Sequence, residues 1–151
     1  MGYETLIALH LLGMVLFTGN ALVGGWWKSG AERSGDRRVA EFALARQASA
    51  DYLFGLPGLL LLLLTGEFLS AAYFKGDSPG WVHLGRGLFL AAGLVWLAGL
   101  VPLRRAQTAA LRGSQALDGR FRSLGRYWNL LAALLVVLPL ANLFVMVFKP
   151  V

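Results

Sequence analysis

His10 lies in Leu9-His10-Leu11-Leu12-Gly13-Met14-Val15-Leu16-Phe17, a stretch that is otherwise apolar. An imidazole there is costly unless it is hydrogen-bonded, ligated or put to use, so it is the first candidate for chemistry. Neutral imidazole is a common ligand for iron and several other metals. Met14, four residues on, shares the helical face of His10 and presents a thioether that ligates or simply packs. His83 is the other histidine of the chain. Glu67, Arg86 and Asn142 interrupt or border further apolar runs. They would supply a proton acceptor, a partner for an anion and a hydrogen-bonding carboxamide. The absence of cysteine excludes thiolate ligands and disulfides, zinc spacing is missing, and the carboxylates are too few for a di-iron site.

The elements that must position these side chains read as membrane-spanning helices. Of 151 residues, 57% are hydrophobic and only 15% are charged, against about 25% charged in soluble domains. Four apolar segments, at about 4–27, 52–74, 84–103 and 127–148, each approach the roughly 20 residues that cross a ~30 Å hydrocarbon core. In lipid the backbone must satisfy itself, and runs of this length do so as helices. The first run exceeds the ~7–15 residues of a signal-peptide core and has no basic residue before it, so it reads as a retained span. The fold class expected is all-α: an integral membrane four-helix antiparallel bundle forming one domain over 1–151.

Charge orients the bundle. The connection 28–50 holds five basic residues and the connection 104–126 holds six, so eleven of the 14 Lys and Arg lie on one side. Positive charge marks the cytoplasmic side, which puts both termini and the connection 75–83 outside. The net charge of +6 is accounted for by this placement, and nucleic acid is not the expected partner. The lipid bilayer is. Val39–Ser49 and Gln107–Leu117 read as short helices whose basic residues lie in solvent at an anionic leaflet. Trp26, Trp27, Trp81, Trp128, Tyr52, Tyr73 and Tyr127 fall near helix ends and read as interfacial anchors.

With this topology His10, Glu67, Arg86, His83 and Asn142 come to similar depth in the outer half of the bundle. One expectation is a structural cluster, with Glu67 and Arg86 as a buried ion pair and His10 and Asn142 as interhelical hydrogen-bonding groups. The other is a site near the outer face, with Gly13 opening one face of the first helix to a flat ligand. The inner halves show few polar residues apart from Asn20.

Over its whole length the chain resembles a bacterial family of small predicted integral membrane proteins of unknown function. The resemblance is carried by the histidine–glycine first helix, the stretch from Leu56-Pro57 to Thr65-Gly66 in the second span, the Trp81 entry to the third and the closing Met146-Val147-Phe148-Lys149-Pro150. Shorter stretches are similar to the haem-containing membrane protoporphyrinogen oxidases: Ala8-Leu9-His10, Trp81-Val82-His83, Arg126-Tyr127-Trp128-Asn129 and Lys149-Pro150. The Glu-Pro that follows the asparagine in that family is missing here, and Arg86 stands one residue beyond the place of its lysine. That resemblance implies haem b on His10, with His83 as a second ligand and Arg86 near the place of the family's lysine; the polar layer itself adds Met14 and Asn142 beside the cofactor and Glu67 with Arg86 as the catalytic candidates. The first resemblance implies a multi-pass protein of the bacterial cytoplasmic membrane. Two other readings stand beside a haem-linked oxidoreductase: an accessory or scaffold subunit, paired with a second copy or a larger membrane complex, and a small transporter or proton path.

Overall fold

A computed structural model describes residues 2–75, 77–113 and 117–150. All regular elements among them are helical, and four continuous helical stretches are long and apolar enough to cross a membrane. Helix α1 spans Tyr3–Arg33. The second stretch comprises α2 (Arg37–Ala50), a π-helical turn (Asp51–Gly55) and α3 (Leu56–Phe74). The third comprises α4 (Gly80–Leu94), a second π turn (Val95–Leu100) and α5 (Val101–Gly113). The last is α6 (Gly119–Phe148).

The helices run well past the apolar segments. At 1.5 Å per residue, α1 is about 46 Å long against a hydrocarbon core of ~30 Å. The excess lies at the end carrying the turn 34–36, called here the basic end. There Ala40, Leu44, Leu111 and Phe121 form a small core of their own, so the expected solvent-borne connections are a packed helical extension. The helical reading of Val39–Ser49 holds, and so does that of Gln107 onward as far as Gly113; residues 114–116 lie outside the described residues. Capping explains the restarts: Asp36 accepts from the backbone N–H of Arg38 at 2.7 Å, and Asp118 from that of Phe121 at 2.8 Å. Gly35, at φ +72°, makes the turn between α1 and α2.

The main core joins Phe17 and Ala21 of α1 to Trp96 and Leu100 of the second π turn and to Trp128, Ala132 and Leu135 of α6. Phe17 and Trp96 meet edge to face at 5.9 Å. Trp128 is therefore a core residue, only 4% exposed, and not the interfacial anchor expected of it; Trp26, Trp27, Tyr52 and Tyr127 do lie at the surface. Helix α1 packs on α3 and α6, and α4 packs on α6. At the other, terminal end, the rings of Tyr3 and Tyr73 lie 4.6 Å apart and Lys149 stands over Trp81 at 5.6 Å.

The α1–α3 contact is backbone against backbone. A Cβ on Gly58 would lie 2.6 Å from the Phe17 nitrogen, and one on Gly13 would lie 3.0 Å from the Gly58 carbonyl oxygen. Small residues permit this approach, as is usual where lipid tails supply no hydrophobic drive between helices. Gly58→Ala is expected to cost about 1–3 kcal/mol through forced separation. Gly87→Ala, where a Cβ meets nothing within 4 Å, serves as a control of little effect. Thermal unfolding in detergent compares the two; equal melting temperatures would contradict the close crossing.

Candidate functional site

The residues singled out at the terminal end are joined in pairs and do not form one convergent pocket. His10, half-buried on α1, lies against α3, with Nδ1 2.9 Å from Oγ1 of Thr65. Thr65 donates its hydroxyl proton to the carbonyl of Leu61. It has no second proton to give, so it accepts from His10, which fixes the tautomer with Nδ1–H. Nε2 then carries a free lone pair. A hydrogen bond from the other ring nitrogen is how proteins orient an imidazole that binds a metal. Gly66 leaves room for the ring, since a Cβ there would lie 3.3 Å from His10 Cε1.

Glu67 and Arg86 link α3 to α4. The guanidinium is bidentate, with Nε to Oε1 at 2.9 Å and Nη2 to Oε2 at 2.8 Å. The pair expected from the sequence forms, but it is not buried: Glu67 is 55% and Arg86 35% exposed. Arg86 also donates to Ser70 at 3.1 Å, and Ser70 lies 2.9 Å from the Ser78 hydroxyl. His83 is exposed in the first turn of α4, and among the described residues no side-chain hydrogen bond joins it to the others. Asn142 of α6 packs against α4, where a Cβ on Gly85 would lie 2.9 Å from its Oδ1; that oxygen is buried with no hydrogen-bond partner. Met14 is half-buried on α1.

As a place for haem, the donor chemistry of His10 fits and the expected cradle does not. Gly13 is covered by the backbone of α3, so no flat ligand can lie on that face. A cavity of about 910 Å³ opens between α1 and α2 instead, and no histidine lines it. Among the described residues no group of three or more His, Asp or Glu gathers to hold a metal ion.

The larger polar assembly lies toward the basic end, where few polar residues were expected. Asp51, at the start of the first π turn, is paired with Arg104 of α5, with both side chains under 10% exposed. Its Oδ1 also accepts from Asn20 at 3.0 Å and from Gln47 at 2.9 Å. A second cluster follows along α1. Lys28, 1% exposed, donates to Glu32 at 2.5 Å and stands 4.0 Å over the ring of Trp128. Glu32 further accepts from Gln107 at 2.7 Å and from Asn129 at 3.3 Å, and Asn129 accepts from Ser29 at 3.1 Å. Three glycines make the space. A Cβ on Gly24 would overlap the Gln47 carboxamide, one on Gly55 would reach 3.0 Å from Asn20 Nδ2, and one on Gly125 would reach 2.9 Å from Glu32 Oε1.

Sequence reasoning missed this assembly because charges at the ends of apolar runs read as solvated. The available signal was helical spacing: Lys28 with Glu32 and Gln47 with Asp51 are four apart, and each pair would share a face if the helix continued. Both π turns also sit here, and such turns are frequent at functional sites.

The family described as predicted integral membrane protein (DUF2269) matches residues 4–150. No curated protein and no solved structure matches the chain.

Removing one member of a buried ion pair leaves an uncompensated charge, which costs about 3–5 kcal/mol, whereas replacing both by apolar residues is often near neutral. Arg104→Met is therefore expected to destabilise strongly, and Asp51→Leu combined with Arg104→Met to recover part of the loss, since Asn20 and Gln47 then lose their shared acceptor. Unfolding in detergent measures both; a single variant as stable as the parent would refute the buried pairing.

Proposed function

The chain belongs to the DUF2269 family of predicted integral membrane proteins, a multi-pass protein of the bilayer, and we propose that it binds haem b near its terminal end, where His10 would hold the iron. The observation that carries this reading is the Thr65 hydroxyl, which by accepting from His10 Nδ1 leaves Nε2 unprotonated and oriented. The likeness of Ala8-Leu9-His10 to a haem-ligating motif supports it. Bound haem supplies one-electron redox chemistry in the membrane. The protein's own part is to hold the imidazole through Thr65 and to spare it a clash at Gly66. Arg86 could pair with another anionic group in place of Glu67, which would leave the Glu67 carboxylate without its partner and available as a proton acceptor. His83, Met14 and Asn142 are secondary candidates at the same end. The placement of eleven basic residues supports an orientation with the basic end inside, and the resemblance to a bacterial family supports the cytoplasmic membrane as its location.

Protein purified after expression with ample haem is expected to show a Soret band. The band should vanish or change ligation in His10→Ala and shift in Thr65→Val, which frees the ring without removing the donor. A colourless parent protein would overturn the reading.

A second reading, a proton path, is favoured by the buried groups at the basic end, since ionisable residues inside a membrane bundle commonly line ion or proton routes. On this reading Asp51 relays protons, and Asp51→Asn abolishes a pH-gradient-driven flux in proteoliposomes. An inert parent protein in that assay removes it. Stable co-purification with a partner, unaffected by His10→Ala, would point instead to an accessory subunit.

A further inference from the structure

The cavity between α1 and α2 has a chemistry of its own. It runs from Val15 to Arg33, about 27 Å along α1 at 1.5 Å per residue, and its volume is about 910 Å³. That volume falls within the range of ~300–1,000 Å³ typical of small-molecule sites. Its walls are mainly apolar, with Val15, Val23 and Phe54 toward mid-bilayer and Trp26 and Trp27 farther along. Asn20 and Gln47 form a polar floor, with their amide groups turned to Asp51. Arg33 lies at the basic end of α1, and Arg46, whose guanidinium stands 5.6 Å over the Phe42 ring, lies farther in beside Gln47; both are exposed. No carboxylate lines the cavity, and the ion pairs among the described residues include neither arginine. The groove thus offers two guanidinium groups at the membrane surface, an aromatic rim and an apolar trough that extends toward the bilayer centre.

We propose that this groove is a binding site for one anionic phospholipid, with its phosphate on Arg33 and Arg46 and an acyl chain along α1. Charge complementarity selects the headgroup: guanidinium binds phosphate through paired N–H donors, and no carboxylate in the groove offers a counter-charge to a cation. The length of the trough accommodates a chain, since one leaflet is only ~15 Å deep, half the hydrocarbon core. Two groove-lining glycines sharpen the assignment. A Cβ on Gly19 or Gly30 meets nothing within 4 Å, so a larger side chain there enters the trough without disturbing the helices.

The test is native mass spectrometry of the full chain released from bilayer discs of equal phosphatidylglycerol and phosphatidylcholine. The parent protein is expected to retain one phosphatidylglycerol in preference to phosphatidylcholine. Arg33→Gln combined with Arg46→Gln should lower that preference roughly tenfold to thirtyfold, the loss of two cation contacts at a membrane surface. Gly19→Leu should abolish retention of either lipid while leaving the melting temperature near that of the parent, and Gly30→Leu should weaken it. Soluble glycerol phosphate should fail to displace the lipid. Equal retention of both lipids by the parent, unchanged retention in Gly19→Leu, or displacement by glycerol phosphate alone would each overturn the proposal.

Discussion

Asp51 and Arg104 are withdrawn from water together, and much of the basic end is arranged around that constraint. Each buried ion costs several kcal/mol in lost hydration, which direct attraction offsets only when the remaining polar atoms are also satisfied. Asn20 and Gln47 meet the Asp51 carboxylate, and each needs a glycine beside it, Gly55 and Gly24, to reach its place. The same logic repeats at Glu32, whose carboxylate gathers Lys28, Gln107 and Asn129 beside Gly125. Stability is a poor explanation for retaining such groups, because apolar packing would serve it as well. A working role or a unique helix arrangement explains them better.

The two ends of the bundle solve the problem of polar groups differently. At the terminal end the contacts are pairwise, α1 to α3 through His10 and Thr65 and α3 to α4 through Glu67 and Arg86. At the basic end the groups share acceptors and draw in α1, α2, the first π turn, α5 and α6. The close crossing of Gly13 and Gly58 lies between them and leaves little room for polar atoms at that level.

How much was legible in the sequence follows from this arrangement. The four spanning helices were readable because hydrophobic length is a direct response to bilayer thickness. The pairing of Glu67 with Arg86 was readable because topology brings the two residues to one depth. Their exposure was not, since it depends on which helices pack closest, and α1 takes α3 and α6 as its main neighbours. Gly13 was read as an opening when it is a contact, because a small residue signals close approach without saying of what. Lys28, Arg104 and Trp128 were assigned to the water interface, since linear sequence shows where an apolar run stops and not where its helix stops.

The two π turns carry a consequence for the helices that contain them. Each accommodates one residue more per turn than an α-helix, so everything beyond it is rotated by about 100° relative to an uninterrupted helix. Ala40, Leu44 and Gln47 of α2 share one stripe of the sequence with Gly58 and Thr65 of α3, and the offset turns the two parts of that stripe to different directions in space. Each long helix acts as two short ones joined with an azimuthal offset, which lets one continuous rod face a polar cluster with one segment and a glycine crossing with the next.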